Sequence, residues 1–232
     1  IFQDNGFTVH TRDKNADIIY VSPSHMTRWG DVMKNKRRLE LVEYSFKNNS
    51  TVIEDDYEND FMYNVKPTPA LFTLGHGNVI YIGSFSAMLL PGIRISFMVL
   101  NKELAEIFNK NKYKFAQTAS KTEQIALCQY IRDGHINSQT RKIRRLYSNK
   151  TKNFYSILKN EFPNANISIS ENTLQIIMSV KFDKDIKVFE ENSISLFVEK
   201  YENGVITIVL SPSGIPSSKL LKAAKTLKKA IN

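Results

Sequence analysis

Residues 79–100 read VIYIGSFSAMLLPGIRISFMVL, and this stretch limits what the chain can fold into more than any other. Val79, Ile80, Tyr81 and Ile82 form a brief apolar run; Ile93, Ile95, Phe97 and Val99 alternate with Arg94, Ser96 and Met98 in a second. Runs of this length and β-rich make-up predict two buried strands. Between them stand Gly83, Ser84, Phe85, Ser86 and the Pro91-Gly92 pair. Hydroxyls and N–H groups after a glycine at a strand end can hold an anion. Arg94, just past the turn, presents a fork that takes a phosphate in two hydrogen bonds. The same residues also fit a plain strand–turn–strand connection with a surface arginine.

Upstream, Ile18-Ile19-Tyr20-Val21 reads as a short strand closed by a Ser22-Pro23 turn. Residues 33–46 read as a helix with Leu39, Val42 and Phe46 inward and Arg37, Arg38, Glu40 and Glu43 outward. Thr51-Val52-Ile53 is the next strand and runs into Glu54-Asp55-Asp56-Tyr57. Strand, helix, strand and then the strand at Val79 predict an α/β fold with a mostly parallel sheet. Its loops at the strand ends would form a site. Acidic residues at a strand end also occur simply as solvated loop residues.

The 232 residues suffice for one large or two modest domains. No apolar run reaches the roughly 18 residues of a membrane span, and no secretory leader pattern opens the chain. The lone Cys128 cannot pair within the chain, which suits a reducing cytosol, and its helical neighbours Ala126, Leu127 and Tyr130 predict a buried thiol. His10, His25, His76 and His135 lack metal-ligand spacing with cysteine or acidic partners. A net charge of +9 admits nucleic acid or membrane partners, although the lysines are scattered and no zinc-finger, RNP or basic-zipper pattern is present.

The segment G-S-F-S-x-x-L-x-P-G-I-R at 83–94 resembles the cofactor-lysine segment of fold-type I pyridoxal-phosphate (PLP) proteins. More narrowly, it resembles the MocR-type regulators of the GntR family, which join an N-terminal winged helix-turn-helix to an aminotransferase-like domain. V-I-E-D-D-Y-E-N-D-F at 52–61 resembles that family's block carrying the pyridine-nitrogen aspartate and ring-hydroxyl tyrosine. The resemblance implies cofactor contacts from Asp55 (ring nitrogen), Tyr57 (ring oxygen) and Ser84, Ser86 and Arg94 (phosphate). It spans roughly residues 18–100, and the ordered run of blocks is more specific than any one of them.

Three departures stand out. The Schiff-base lysine position is Ala87, which has no amine and cannot anchor the cofactor covalently. After Pro23-Ser24-His25, the family's Q-F/Y-P-T-G gives way to Met26, Thr27, Arg28 and Trp29. On the late strand at 205–210, Thr207 sits about where an arginine would clamp a substrate carboxylate.

Past the core block, residues 102–115 read as a helix with Leu104, Ile107, Phe108 and Tyr113 inward. Ser120-Lys121-Thr122-Glu123 is a capping box for a helix that runs to Gly134. A long helix follows at about 138–162, with Ile143, Phe154 and Leu158 on one face and Arg141, Lys142, Arg144, Arg145, Lys150 and Lys152 crowding the other. That basic face fits either a solvated surface or a contact to DNA or an acidic partner. Strands at 167–169, 174–180, 196–199 and 205–210, a short helix at 184–192 and a final amphipathic helix at 217–231 complete the chain.

With the resemblance, the expected fold is the C-terminal part of a fold-type I PLP-dependent transferase. Residues 1–135 form part of the large domain, 136–162 a linking helix and 163–232 a small C-terminal domain. The resemblance implies a catalytically inactive, effector-binding and dimerisation domain of a MocR-type transcriptional regulator. It would be cytoplasmic and homodimeric, bind DNA through a winged helix upstream of this chain, and take PLP non-covalently at most. The alternative is a PLP-dependent aminotransferase whose catalytic lysine is mutated to alanine.

Overall fold

The computed structural model describes residues 15–26, 31–56, 68–75, 78–86, 89, 91–116, 119–170 and 173–232. Two four-stranded sheets organise them. The first has the order β1 (Ile18–Val21), β2 (Thr51–Asp55), β3 (Val79–Ser84), β4 (Ser96–Val99). β1, β2 and β3 run parallel, and β4 turns back antiparallel on β3. Parallel neighbours need crossovers. α1 (Asn35–Lys47) lies in the first, and the single turn α2 (Leu71–Leu74) lies in the second.

Strand side chains alternate between faces. Val52 and Val79 therefore share one face and bury with Val42 of α1 and Leu71 of α2, flanked by Ile19, Val21 and Phe72. Ile53, Asp55, Ile80, Ile82 and Ser84 take the opposite, half-buried face.

The inward stripe of α1 differs from the sequence expectation. Arg38 is 1% exposed and buries with Val42 and Ser45, while Leu39 and Phe46 are exposed. The cause is polar. A buried glutamate on β2, described below, needs a cation beneath it, and this turns the helix one residue from its apolar stripe.

The second sheet, order β5 (Asn166–Ile169), β6 (Ile176–Lys181), β8 (Val205–Leu210), β7 (Phe197–Glu202), is antiparallel throughout, with a bulge at Val198/Lys200. α5 (His135–Glu161) and α7 (Leu220–Ile231) pack on it, and α6 (Lys187–Glu191) adds Phe189. Phe154, Leu158, Met178, Ile206, Ile208, Leu220 and Leu227 form a continuous buried core. Each such side chain contributes about 1.5–3 kcal/mol on leaving water, so this half of the chain has a core of its own. Gly134 precedes α5 at φ 73°, a left-handed turn that glycine adopts without strain.

α3 (Lys102–Asn111) and α4 (Lys121–Arg132) lie between the sheets in sequence. Asn101 caps α3 by accepting from the Leu104 N–H at 2.8 Å, and Ser120 caps α4. Neither helix buries its expected apolar face. α3 has no buried residue, and α4 buries only Leu127 while Ile125 is 71% exposed. Cys128 is exposed rather than buried: the neighbouring Leu127 takes the inward position, about 100° away around the helix.

Candidate functional site

The parallel strands β1, β2 and β3 end together at Val21, Asp55 and Ser84, and ligands of open α/β sheets bind outside such carboxyl ends. β2 leaves the sheet as Glu54-Asp55-Asp56, and alternation sends these carboxylates to two different faces.

Glu54 faces the helices and is 0% exposed. It accepts from the N–H groups of Leu71 at 2.9 Å and Phe72 at 3.0 Å, which ties the start of α2 to β2. Arg38 Nη1 lies 3.9 Å from Glu54 Oε1 and donates to the Pro69 carbonyl at 2.9 Å, while Nε donates to the Met33 carbonyl at 3.0 Å. Asp56 is buried beside them; its Oδ2 accepts from the Tyr81 hydroxyl at 3.0 Å. Burial pushes Glu54 above the usual carboxylate range, against the pull of the two amides, and lowers Arg38 against the attraction of Glu54 and Asp56. Arg38 Nη2 and Asp56 Oδ1 are buried with no hydrogen-bond partner among the described residues. This cluster fixes the end of β2 from below. The sequence reading missed it, although alternation on either side of Asp55 was the available signal.

Asp55 lies on the other face. Its Oδ2 accepts from the Tyr20 hydroxyl of β1, a diagonal contact, since Tyr20 is in register with Ile53. Asp55 is in register with Ile82, and Ser84 is two residues further along β3 on the same face. Strand spacing and rise put their Cα atoms about 8 Å apart.

The turn beyond β3 is held by its own backbone. The Phe85 N–H donates to the Ile95 carbonyl at 3.0 Å, and the Ser86 N–H donates to Ser84 Oγ at 3.2 Å. Ser84 is paired with Ser96, so Ser86 and Arg94 each lie two residues beyond the paired ends of β3 and β4. Arg94 has φ 46°, a left-handed conformation that side-chain-bearing residues rarely adopt and that concentrates at functional sites. Gly83 serves packing: a Cβ there would sit 2.5 Å from Phe97 Cζ, whose ring is tilted 41° against that of Phe85 with centroids 5.2 Å apart.

The chain therefore brings Asp55, Ser84, Ser86 and Arg94 to one end of one sheet. Tyr57, Ala87 and residues 27–30 lie outside the described residues. Thr207 lies on β8 of the second sheet, where its Oγ1 is 2.9 Å from Ser179 Oγ in a cross-strand hydroxyl pair. Chemically, this strand end carries two hydroxyls and a guanidinium, groups of the kind that hold an anion, with a carboxylate on the adjacent strand. A molecule with a phosphate at one end and a cationic ring nitrogen at the other matches that donor set.

Comparisons with known proteins give the chain a family and a fold. The family described as Aminotransferase class I and II matches residues 9–218. The uncharacterized HTH-type transcriptional regulator YhdI of Bacillus subtilis is 34% identical over 204 residues, 87% of this chain and 42% of its own length. The probable rhizopine catabolism regulatory protein MocR of Rhizobium meliloti is 29% identical over 171 residues, 73% of this chain and 34% of its own. The chain thus spans less than half the length of these relatives. Among solved structures, Pyrococcus horikoshii kynurenine aminotransferase superposes with a TM-score of 0.72 at 22% identity, covering 93% of this chain and 56% of that one. That likeness fixes the fold as that of the fold-type I aminotransferases.

Proposed function

The chain belongs to the aminotransferase class I and II family, and on that footing we propose that it is the effector-binding and dimerisation part of a MocR-type regulator of the GntR family. One observation carries this reading. Asp55, Ser84, Ser86 and Arg94, proposed here as a PLP cradle, lie at one sheet end, while position 87, where the covalent anchor would stand in this reading, is alanine. In this reading Asp55 faces the ring nitrogen, Tyr57 the ring oxygen, and Ser84, Ser86 and Arg94 hold the phosphate. PLP, when bound, supplies an electron sink. Without an amine at 87 or an arginine at 207, the chain binds and orients but does not turn over an amino acid.

The regulator names of the relatives support a DNA-bound role through a winged helix upstream. A homodimer is supported by the apolar side chains left exposed on α3 and α4, Ile107, Phe108 and Ile125, and by Tyr113 in the 3-10 turn after α3. The boundaries at 135 and 162 are proposed as the limits of the linking helix.

Borohydride trapping tests the proposal. With PLP present, reduction should leave no covalent adduct on the native chain, and Ala87→Lys should create one together with a visible absorbance band. An adduct on the native chain would sink the non-covalent reading. Amino-group transfer on adding an amino acid to the lysine variant would favour the aminotransferase alternative.

A further inference from the structure

The net charge of +9 is unevenly distributed. α5 and residues 217–231, a short 3-10 turn leading into α7, hold twelve of the 32 lysines and arginines and one of the 23 acids. That acid, Glu161, lies 3.3 Å from Lys228 Nζ. The rest of the chain carries twenty cations against twenty-two acids, so the two helices account for the whole excess.

α5 and α7 bury Phe154, Leu158, Leu220, Ala224 and Leu227 against the second sheet, so their charges point away from it. Arg141, Lys142, Arg145, Lys152, Lys222 and Lys225 are exposed. A cleft of about 550 Å³ is lined by Lys142, Arg145, Asn149, Lys150, Asn153 and Ser217, with Leu146 as its apolar member, and no acid lines it. Lys150 Nζ is fixed there by the Ser213 carbonyl at 2.8 Å. Positions 142, 145, 149 and 153 form one stripe of a helix, where like charges repel unless an anion answers them.

We propose that this layer docks the phosphate backbone of duplex DNA without reading its sequence. The lining offers donors of the kind phosphate oxygens accept. The cations are strung along α5 instead of converging on one point. Its 27 residues span about 40 Å, close to one turn of the duplex at about 34–36 Å. The inference rests on the regulator reading, to which it adds a second DNA contact.

Fluorescence anisotropy with a labelled duplex of arbitrary sequence, across a salt series, tests it. Lys142→Gln/Arg145→Gln leaves Lys150 and its hydrogen bond in place. The double variant should flatten the slope of log affinity against log salt by about 2 and weaken binding roughly tenfold or more near 0.1 M salt. Lys222→Gln/Lys225→Gln should act in the same direction. Unchanged slopes in both variants overturn the proposal, as does loss of polyglutamate binding with duplex binding intact, which would assign the surface to an acidic protein. The two readings separate in a selection for preferred sequences and a salt series run on the full-length protein, which in the regulator reading includes the upstream winged helix. A preferred site bound with an unchanged slope leaves the regulator standing and removes this contact. No preferred site with a flattened slope does the reverse.

Discussion

Arg38 and Glu54 meet in the interior at 3.9 Å, both essentially without solvent exposure, directly beneath the strand end that carries Asp55. Neither charge is there for its own pairing alone. Arg38 also holds two backbone carbonyls and Glu54 two backbone amides, so the pair ties α1, β2 and the start of α2 together.

Removing the cation should therefore be costly. Arg38→Ala leaves Glu54 and Asp56 facing one another in a low-dielectric interior, and the expected loss is about 3–5 kcal/mol of unfolding free energy. Urea denaturation measures it. A loss below about 1 kcal/mol would mean that water reaches the cluster.

The pH dependence has a definite sign. Burial raises Glu54 in the folded state above its ordinary value of 4.5. A carboxyl raised in this way keeps its proton longer when folded. Its stabilising contribution is complete below the unfolded value and disappears as pH rises through the folded one. Glu54→Gln has no such titration. The stability of the native chain relative to this variant should fall as pH is raised upward from 4.5, followed by urea midpoints. A constant difference, or one that grows with pH, contradicts the assignment.

Tyr20→Phe tests the opposite face. The lost hydroxyl contact to Asp55 sits on a half-exposed surface, so stability should change by about 1 kcal/mol or less. Affinity for PLP should nevertheless fall severalfold, because the carboxylate proposed to face the ring loses its orientation. Isothermal titration that finds equal affinity in both proteins would reduce Tyr20 to a surface residue.

Gly83→Ala examines the strand that leads into the turn. The added methyl must displace the Phe97 ring, and overpacking of this kind costs about 1–3 kcal/mol. Because the ring is partly exposed and can swing outward, the low end is expected in thermal denaturation. A stabilised variant would show that Phe97 does not lie over Gly83.

The α/β order and the strand at Val79 were legible in the sequence, because β-rich runs report backbone course directly, whereas only the resemblance, and no pattern of the residues themselves, grouped Asp55 with Ser84, Ser86 and Arg94. The inward face of α1 was not legible. Its apolar stripe pointed to Leu39 and Phe46, while the buried side is set by Arg38, whose partner on β2 is sixteen residues away. α3 and α4 misled for the complementary reason: an amphipathic pattern tells that a face wants covering, and it cannot tell which molecule covers it. Cys128 failed by a single helical position. The charge asymmetry between α5 with α7 and the rest of the chain was visible as a crowd of lysines, but its meaning needed the packing that points those lysines outward.

Equilibrium dialysis of PLP against the native chain, Asp55→Asn and Arg94→Ala reads the central claim most directly. The account predicts reversible uptake by the native chain, no cofactor retained after exhaustive dialysis, and binding weakened about tenfold or more in each variant, as expected for loss of a charged hydrogen bond. Equal binding by all three proteins, or no uptake by any of them, would contradict a cofactor cradle at this strand end.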